Sequence, residues 1–322
     1  MTTLTQWVEV HRLAVAGREP VIARHVGRGV ARVWLRTSRF ADVEALATAT
    51  LTLGPDASAF YDLGWAQSAT GRPRLALESY EQALRLYREV DDHGNEAATL
   101  NNIGHVYDRL GDRQQALTYY RQALPIAREV GDRAGEAATL NNIGLVYGGL
   151  GDRQQALTYY RQALPIRGEV GDRAGEAATL NNIGLVYGGL GDRQQALTYY
   201  RQALPIRREV GDRAGEAVTL NNIGLVYGGL GDRQQALTYY RQALPIRREV
   251  GDRAGEAVTR YNIAMIHRGE GDLDKAIGEL ELVVDLDRQA GHPDLASDTA
   301  MLEQVRQERV IAQRPDPGPG QG

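Results

Sequence analysis

Five asparagines stand in phase along the chain, forty residues apart: Asn102, Asn142, Asn182, Asn222 and Asn262. A side-chain amide carries two N–H donors and a carbonyl acceptor. That combination suits the backbone of an extended peptide, whose N–H and C=O groups need partners whatever its side chains are. Three residues on, the same phase holds His105, Leu145, Leu185, Leu225 and Met265, a row that adds mostly apolar contact beside the amides. The chemistry on offer is recognition of another chain.

Catalytic chemistry finds no comparable foothold. With no cysteine in 322 residues, thiolate nucleophiles, thiolate metal sites and disulfides are excluded. His11, His25, His93, His105, His267 and His292 are scattered, and no two combine metal-ligand spacing with carboxylates on one helix face. Asp152, Asp172 and their copies each follow a glycine, the place of a helix cap. A catalytic site is a singular constellation, whereas nearly every polar group here is one of a set of copies. The run Gly148-Gly149-Leu150-Gly151 shares only its glycine content with a phosphate loop. It lies between two helical patterns, carries no lysine and recurs in later copies, so it reads as a turn. The chain reads as no enzyme, with no cofactor and no metal.

What must position the amides is a pair of helices. In the copy that starts at Glu136, Leu140, Ile143, Gly144, Tyr147 and Leu150 recur at helical spacing and form one apolar stripe. Gly151 supplies a stop and Asp152 a cap for the next helix, whose inner face holds Ala156, Tyr160, Ala163 and Leu164. Gly171 and Asp172 repeat that punctuation into the following copy. So short a link leaves antiparallel packing as the only arrangement. Gly144, Ala156 and Ala163 are small where two backbones must come close, with Tyr147 or Tyr160 as the large partner. Pro125, Pro165, Pro205 and Pro245 fall inside the second helix. There the ring removes an N–H and crowds the carbonyl four residues back, so a bend is expected. On the first helix, a stripe of Ala138, Asn141 or Asn142, Leu145 and Gly148-Gly149 is rotated away from the core. Asn141 and its equivalents can equally bond the adjacent copy and stiffen the stack. The leucines either pack between copies or stand partly exposed.

A period of forty residues means stacked supersecondary units, and the signature within it is specific. Leu140, Ile143-Gly144, Tyr147, Gly151, Ala156, Tyr160 and Ala163 stand at offsets that resemble the tetratricopeptide repeat. The period and the Leu-Asn-Asn-Ile-Gly phrase are most similar to the subclass found in kinesin light chains and prokaryotic signalling scaffolds. The resemblance implies an all-α fold, a right-handed superhelical solenoid of antiparallel helix pairs. It also implies that the amide stripe lines a concave groove, with glycines lowering its wall at one end. The second asparagine of each phrase (Asn102, Asn142, Asn182, Asn222, Asn262) then contacts a bound peptide. In the first clear unit Asp62 replaces that asparagine, which leaves its participation open.

Residues 56–291 read as six such helix pairs. Residues 1–55 read as an N-terminal helical cap or degenerate repeat, and 292–313 as a helix capping the open end of the stack. Residues 314–322, where proline alternates with glycine, read as a disordered tail. A formal net charge of −4, with arginines and acids nearly balanced in each copy, argues against nucleic-acid affinity. No apolar run is long enough to span a membrane and no signal-peptide pattern is evident. No membrane partner and a cytoplasmic location are therefore expected. The functional expectation is a protein–protein interaction scaffold that holds an extended peptide or partner segment in the concave groove. The other reading is a sensor or regulatory arm of a signalling system, working with a separate ATPase, protease-like or transcriptional effector. Near-identical copies also permit self-association.

Overall fold

The computed structural model describes residues 3–313; the tail expected at 314–322 lies outside them. Among the described residues there are sixteen helices and no strand, and no helix is long and apolar enough to cross a membrane. The chain divides into two compact units, 1–170 and 171–322.

The first unit opens with α1 (Leu4–Ala16), α2 (Pro20–Arg36) and α3 (Phe40–Leu51). Thr3 and Gln6 cap α1 reciprocally, and Pro20 takes the first position of α2, where no N–H is needed. Val30, Trp34, Val43 and Leu46 form the core of these helices, with Leu35 and Phe40 packed against it. Three hairpins follow: α4 (Ala57–Ala69) with α5 (Pro73–Glu89), α6 (His93–Arg109) with α7 (Arg113–Glu129), and α8 (Arg133–Gly149) with α9 (Arg153–Glu169). The second unit holds α10 (Arg173–Gly189) with α11 (Arg193–Glu209), α12 (Arg213–Gly229) with α13 (Arg233–Glu249), and α14 (Arg253–Gly269) with α15 (Leu273–Ala290). It ends with α16 (Leu295–Ala312), whose Leu302 and Val305 join the core cluster of Ala264, Leu280 and Val284.

One turn chemistry serves both corners of a hairpin. Gly131 and Gly151 take φ of 70° and 82°, a left-handed conformation that costs a glycine nothing. The aspartate after each caps the next helix: Asp132 Oδ1 accepts from the Gly135 amide at 2.9 Å, and Asp152 Oδ1 from the Gln155 amide at 3.1 Å.

Within a hairpin the close approach lies between Gly144 and Tyr160. A Cβ built on Gly144 would stand 2.6 Å from the ring's Cε1, and Gly104, Gly184 and Gly224 meet Tyr120, Tyr200 and Tyr240 in the same way. The large partner is therefore Tyr160. Tyr147 is half-buried and stacks on Tyr159, with centroids 5.5 Å apart and planes 9° from parallel. Leu150, expected in the apolar stripe, is exposed instead. It is the C-cap residue of α8, where the chain already turns away, and Val146 takes the buried place. The helices that contain Pro125, Pro165, Pro205 and Pro245 continue past them for four more residues, to Glu129, Glu169, Glu209 and Glu249. Pro125 and Arg121 are both exposed, and the ring leaves the Arg121 carbonyl without its helical donor.

A buried carboxylate ties hairpin to hairpin. Glu136 is 5% exposed and lies 2.7 Å from Arg128 Nε of the preceding helix, with Arg133 on its other oxygen. Glu216 repeats this with Arg208 and Arg213. Arg208 is itself exposed, and it still neutralises the buried Glu216.

Candidate functional site

In the first unit α4 touches α6 and α6 touches α8; in the second, α10, α12 and α14 touch in the same order. Within each unit the first helices of successive hairpins thus form a layer of their own. Trp65, His105 and Leu145 are exposed in the first unit, Leu185 and Leu225 are exposed in the second, and Met265 is half-buried.

The amides form a ladder between hairpins. Asn142 Nδ2 and Thr139 Oγ1 both donate to Asn101 Oδ1, each at 3.2 Å. Asn222 Nδ2 and Thr219 Oγ1 donate to Asn181 Oδ1 at 3.2 and 3.3 Å. Asn262 Nδ2 and Thr259 Oγ1 donate to Asn221 Oδ1 at 3.4 and 3.2 Å. The first asparagine of the phrase, for which two roles were open, is in these three hairpins a stacking acceptor. The second asparagine, expected to face a ligand, engages one donor within the stack. Asn102 Nδ2 donates to the Tyr61 hydroxyl at 2.9 Å, because Tyr61 stands where later hairpins carry the first asparagine. Asn222 is buried, and Asn102, Asn142, Asn182 and Asn262 are half-buried.

Around Asn102 and Asn142 the layer opens into a pocket of about 360 Å³. Its walls are Trp65, Ser68 and Ala69 of α4, Tyr80 of α5, Asn101, Asn102, His105 and Arg109 of α6, and Asn142 of α8. Trp65 meets Tyr61 edge-on at 6.1 Å. Arg109 Nη1 donates to the Ser68 carbonyl at 3.1 Å, which fixes the cation at the wall. The protein packed around His105 pushes its imidazole below the ordinary value, and the Arg109 charge adds to this. Burial pushes the Tyr61 phenol up to about 12, against the Asn102 hydrogen bond. The pocket offers a ring face, amides, an imidazole and a fixed guanidinium, and it brings no nucleophile together with a base. Trp65 shares the phase of His105, the signal that could have placed it here. Arg109 stands where the later copies have Gly149, so its place gave no signal.

The glycine run, expected to lower the groove wall, also makes room for a side chain. A Cβ on Gly149 would stand 2.8 Å from Arg113 Nε, and one on Gly229 at the same distance from Arg193 Nε. The glycines make room for an arginine of the preceding hairpin at the C-terminal turn, where the carbonyl dipoles favour a cation. Among the described residues no group of three or more histidines and carboxylates could hold a metal ion.

Family models described as tetratricopeptide repeat match residues 57–90, 80–129, 95–169, 135–209, 175–249 and 215–289. No curated protein matches the chain. Among solved structures, BtubC (BKLC) from P. vanneervenii is 24% identical, with 78% of this chain and 93% of that one covered and a TM-score of 0.56. A Rap protein complexed with competence and sporulation factor is 16% identical, with 97% and 98% covered and a TM-score of 0.60. A Podosopora anserina putative kinesin light chain with nearly identical TPR-like repeats is 17% identical, with 60% and 95% covered and a TM-score of 0.50. At such identities the likeness is one of fold. The matching family models span most of the sequence and describe the same helix pairs seen in the structure: the chain is an all-α solenoid and belongs to the tetratricopeptide repeat family.

Proposed function

We propose that this chain is a protein-interaction module that takes an extended segment of a partner across the exposed face of its first helices. The observation that carries this reading is the open pocket between α4, α6 and α8. There an exposed indole, an imidazole and half-buried amides converge without any catalytic pairing. Asn142 engages one N–H in the ladder, so its carbonyl oxygen and second N–H serve the partner's backbone. His105, Leu145, Leu185, Leu225 and Met265 give side-chain contact, with Asn102, Asn182, Asn222 and Asn262 in the same rows.

Affinity capture with paired variants tests this. Trp65→Ala with His105→Ala should lose the partners that the unaltered chain retains, while Gln162→Ala, exposed on a second helix, should keep them. Equal capture by all three would place the partner elsewhere. A second reading, a regulatory arm acting with a separate effector, draws support from the fold shared with the factor-bound Rap protein over nearly the whole chain. Recovery of an ATPase or a transcription factor among the retained partners would favour it.

A further inference from the structure

The hairpin α14–α15 and helix α16 enclose a second cavity, of about 230 Å³. Ala257, Val258 and Tyr261 form its apolar side; Asp287, Asp294 and Asp298, with His292, form its acidic side. In earlier hairpins the corresponding place is filled. Arg247, forty residues before Asp287, is 7% exposed and its Nη1 bonds Asp252 Oδ2. Arg207 bonds Asp212 in the same way. Each guanidinium lies against the glycine in the opening turn of the next first helix, Gly255 and Gly215. In the last hairpin both residues are exchanged. Asp287 stands in place of the arginine and His292 in place of the aspartate.

The exchange leaves a carboxylate unanswered. Asp287 is 2% exposed, and its Oδ2 has no hydrogen-bond partner. His292 does not answer it: Nδ1 lies 4.0 Å from Asp287 Oδ1 and accepts the Asp294 amide at 3.3 Å, which requires a lone pair on that nitrogen. The other neighbour is a carboxyl group, Asp298, pushed up to about 6 by burial and by the facing Asp287. Protonated, Asp298 donates to Asp287; once Asp298 ionises, Asp287 is a buried carboxylate with neither donor nor cation, which is costly. The acids do not converge as a metal-holding group. A planar cation with several N–H donors on an apolar stem fits both sides, its donors on the carboxylate and its methylenes on Val258 and Tyr261.

We propose that this cavity binds an arginine side chain of a partner molecule, its guanidinium set against Asp287 in the place that Arg207 and Arg247 fill from within the chain. The site is separate from the first-helix pocket and does not depend on that reading.

An NMR titration of the ¹⁵N-labelled full chain with N-acetylarginine amide tests it, with N-acetylcitrulline amide as the uncharged isostere. Saturable shifts at Tyr261, His292 and Asp298 are expected from the arginine compound. Binding should weaken by about tenfold or more for the citrulline compound, and likewise in Asp287→Asn, which keeps the shape and removes the charge. Asp294→Asn, at the exposed rim, should weaken binding by about two- to threefold, and it decides the matter should Asp287→Asn not fold. Equal binding of the two compounds, shifts confined to other helices, or undiminished binding in the carboxamide variants would overturn the proposal. Sedimentation then separates two sources of the arginine. Self-association dispersed by N-acetylarginine amide assigns it to a second copy of this chain; a monomer that still gives the titration assigns it to a different protein.

Discussion

The hairpins α12–α13 and α14–α15 share one backbone pattern and fill it differently. In the first, Gly224 lies against the Tyr240 ring so closely that a Cβ would stand 2.5 Å from Cε1. In the second, the corresponding places hold Ala264 and Leu280, both fully buried. One helix gains a methyl and the other loses a ring. The space between two helices is thus filled as a sum, and glycine is required only where its partner is a tyrosine. Other positions changed chemical character outright. Arg260 replaces Leu220 and is held, nearly buried, by Glu256 and Glu279. Asp287 replaces Arg247.

Removing the ring from the interior hairpin should break the comparison most severely. Tyr240→Ala should cost about 3–5 kcal/mol in urea unfolding, the scale of a large-to-small core change. Tyr227→Ala, whose ring is half-buried, should cost less; equal losses would reverse the assignment of which tyrosine is core. Gly224→Ala alone should cost about 1–3 kcal/mol through overpacking. Combined with Tyr240→Leu it reproduces the α14–α15 pair and should recover part of the loss, read as coupling in a double-mutant cycle. Simple additivity would mean that the two hairpins are spaced differently.

The ladder sharpens the comparison at a smaller scale. Asn221→Ala deletes the oxygen that accepts from Thr259 and Asn262, and should cost about 1–2 kcal/mol, since buried Thr259 keeps the Gly255 carbonyl as an acceptor and Asn262 is half-buried. Asn142→Ala removes one donor and leaves Thr139 on Asn101, so it should cost less in the same unfolding assay.

The smallest effect belongs to the first clear hairpin, where Asp62 stands in place of the asparagine. Burial pushes its carboxyl up to about 7, with Asp56 adding to this and Arg28 and Arg32 opposing it. The folded state therefore holds the proton more tightly than the unfolded chain does. Its contribution to stability is full below about pH 4 and is lost as the pH rises toward 7. Asp62→Asn should remove that slope and gain about 1–2 kcal/mol at pH 8. An unchanged urea midpoint at pH 8 would show that Asp62 ionises there without penalty.

Much of the fold was legible because its signals are local. Each corner is a glycine at positive φ followed by a capping aspartate, and both residues announce themselves within a few positions of the helix end. What stayed illegible depends on a partner forty residues away or on packing within a hairpin. Tyr147 and Tyr160 both stood open as the large partner, and only packing shows that Tyr160 is the one against glycine. That Gly149 makes room for a guanidinium stayed hidden because the arginine that needs the space, Arg113, lies one hairpin earlier. That the amides also bond within the stack stayed hidden, because no single hairpin shows that Asn142 reaches Asn101. At the candidate site, the asparagines, His105 and the leucines were found by phase alone. Arg109 was not, since its copies are glycine.

The amide ladder also has a sense. In three of its rungs Nδ2–H points toward the preceding hairpin: Asn142 to Asn101, Asn222 to Asn181, Asn262 to Asn221. Bond dipoles aligned in this way add up rather than cancel. Within a unit the face above them therefore has a direction, and a strand laid along it forwards does not meet the same electrostatics as that strand laid backwards.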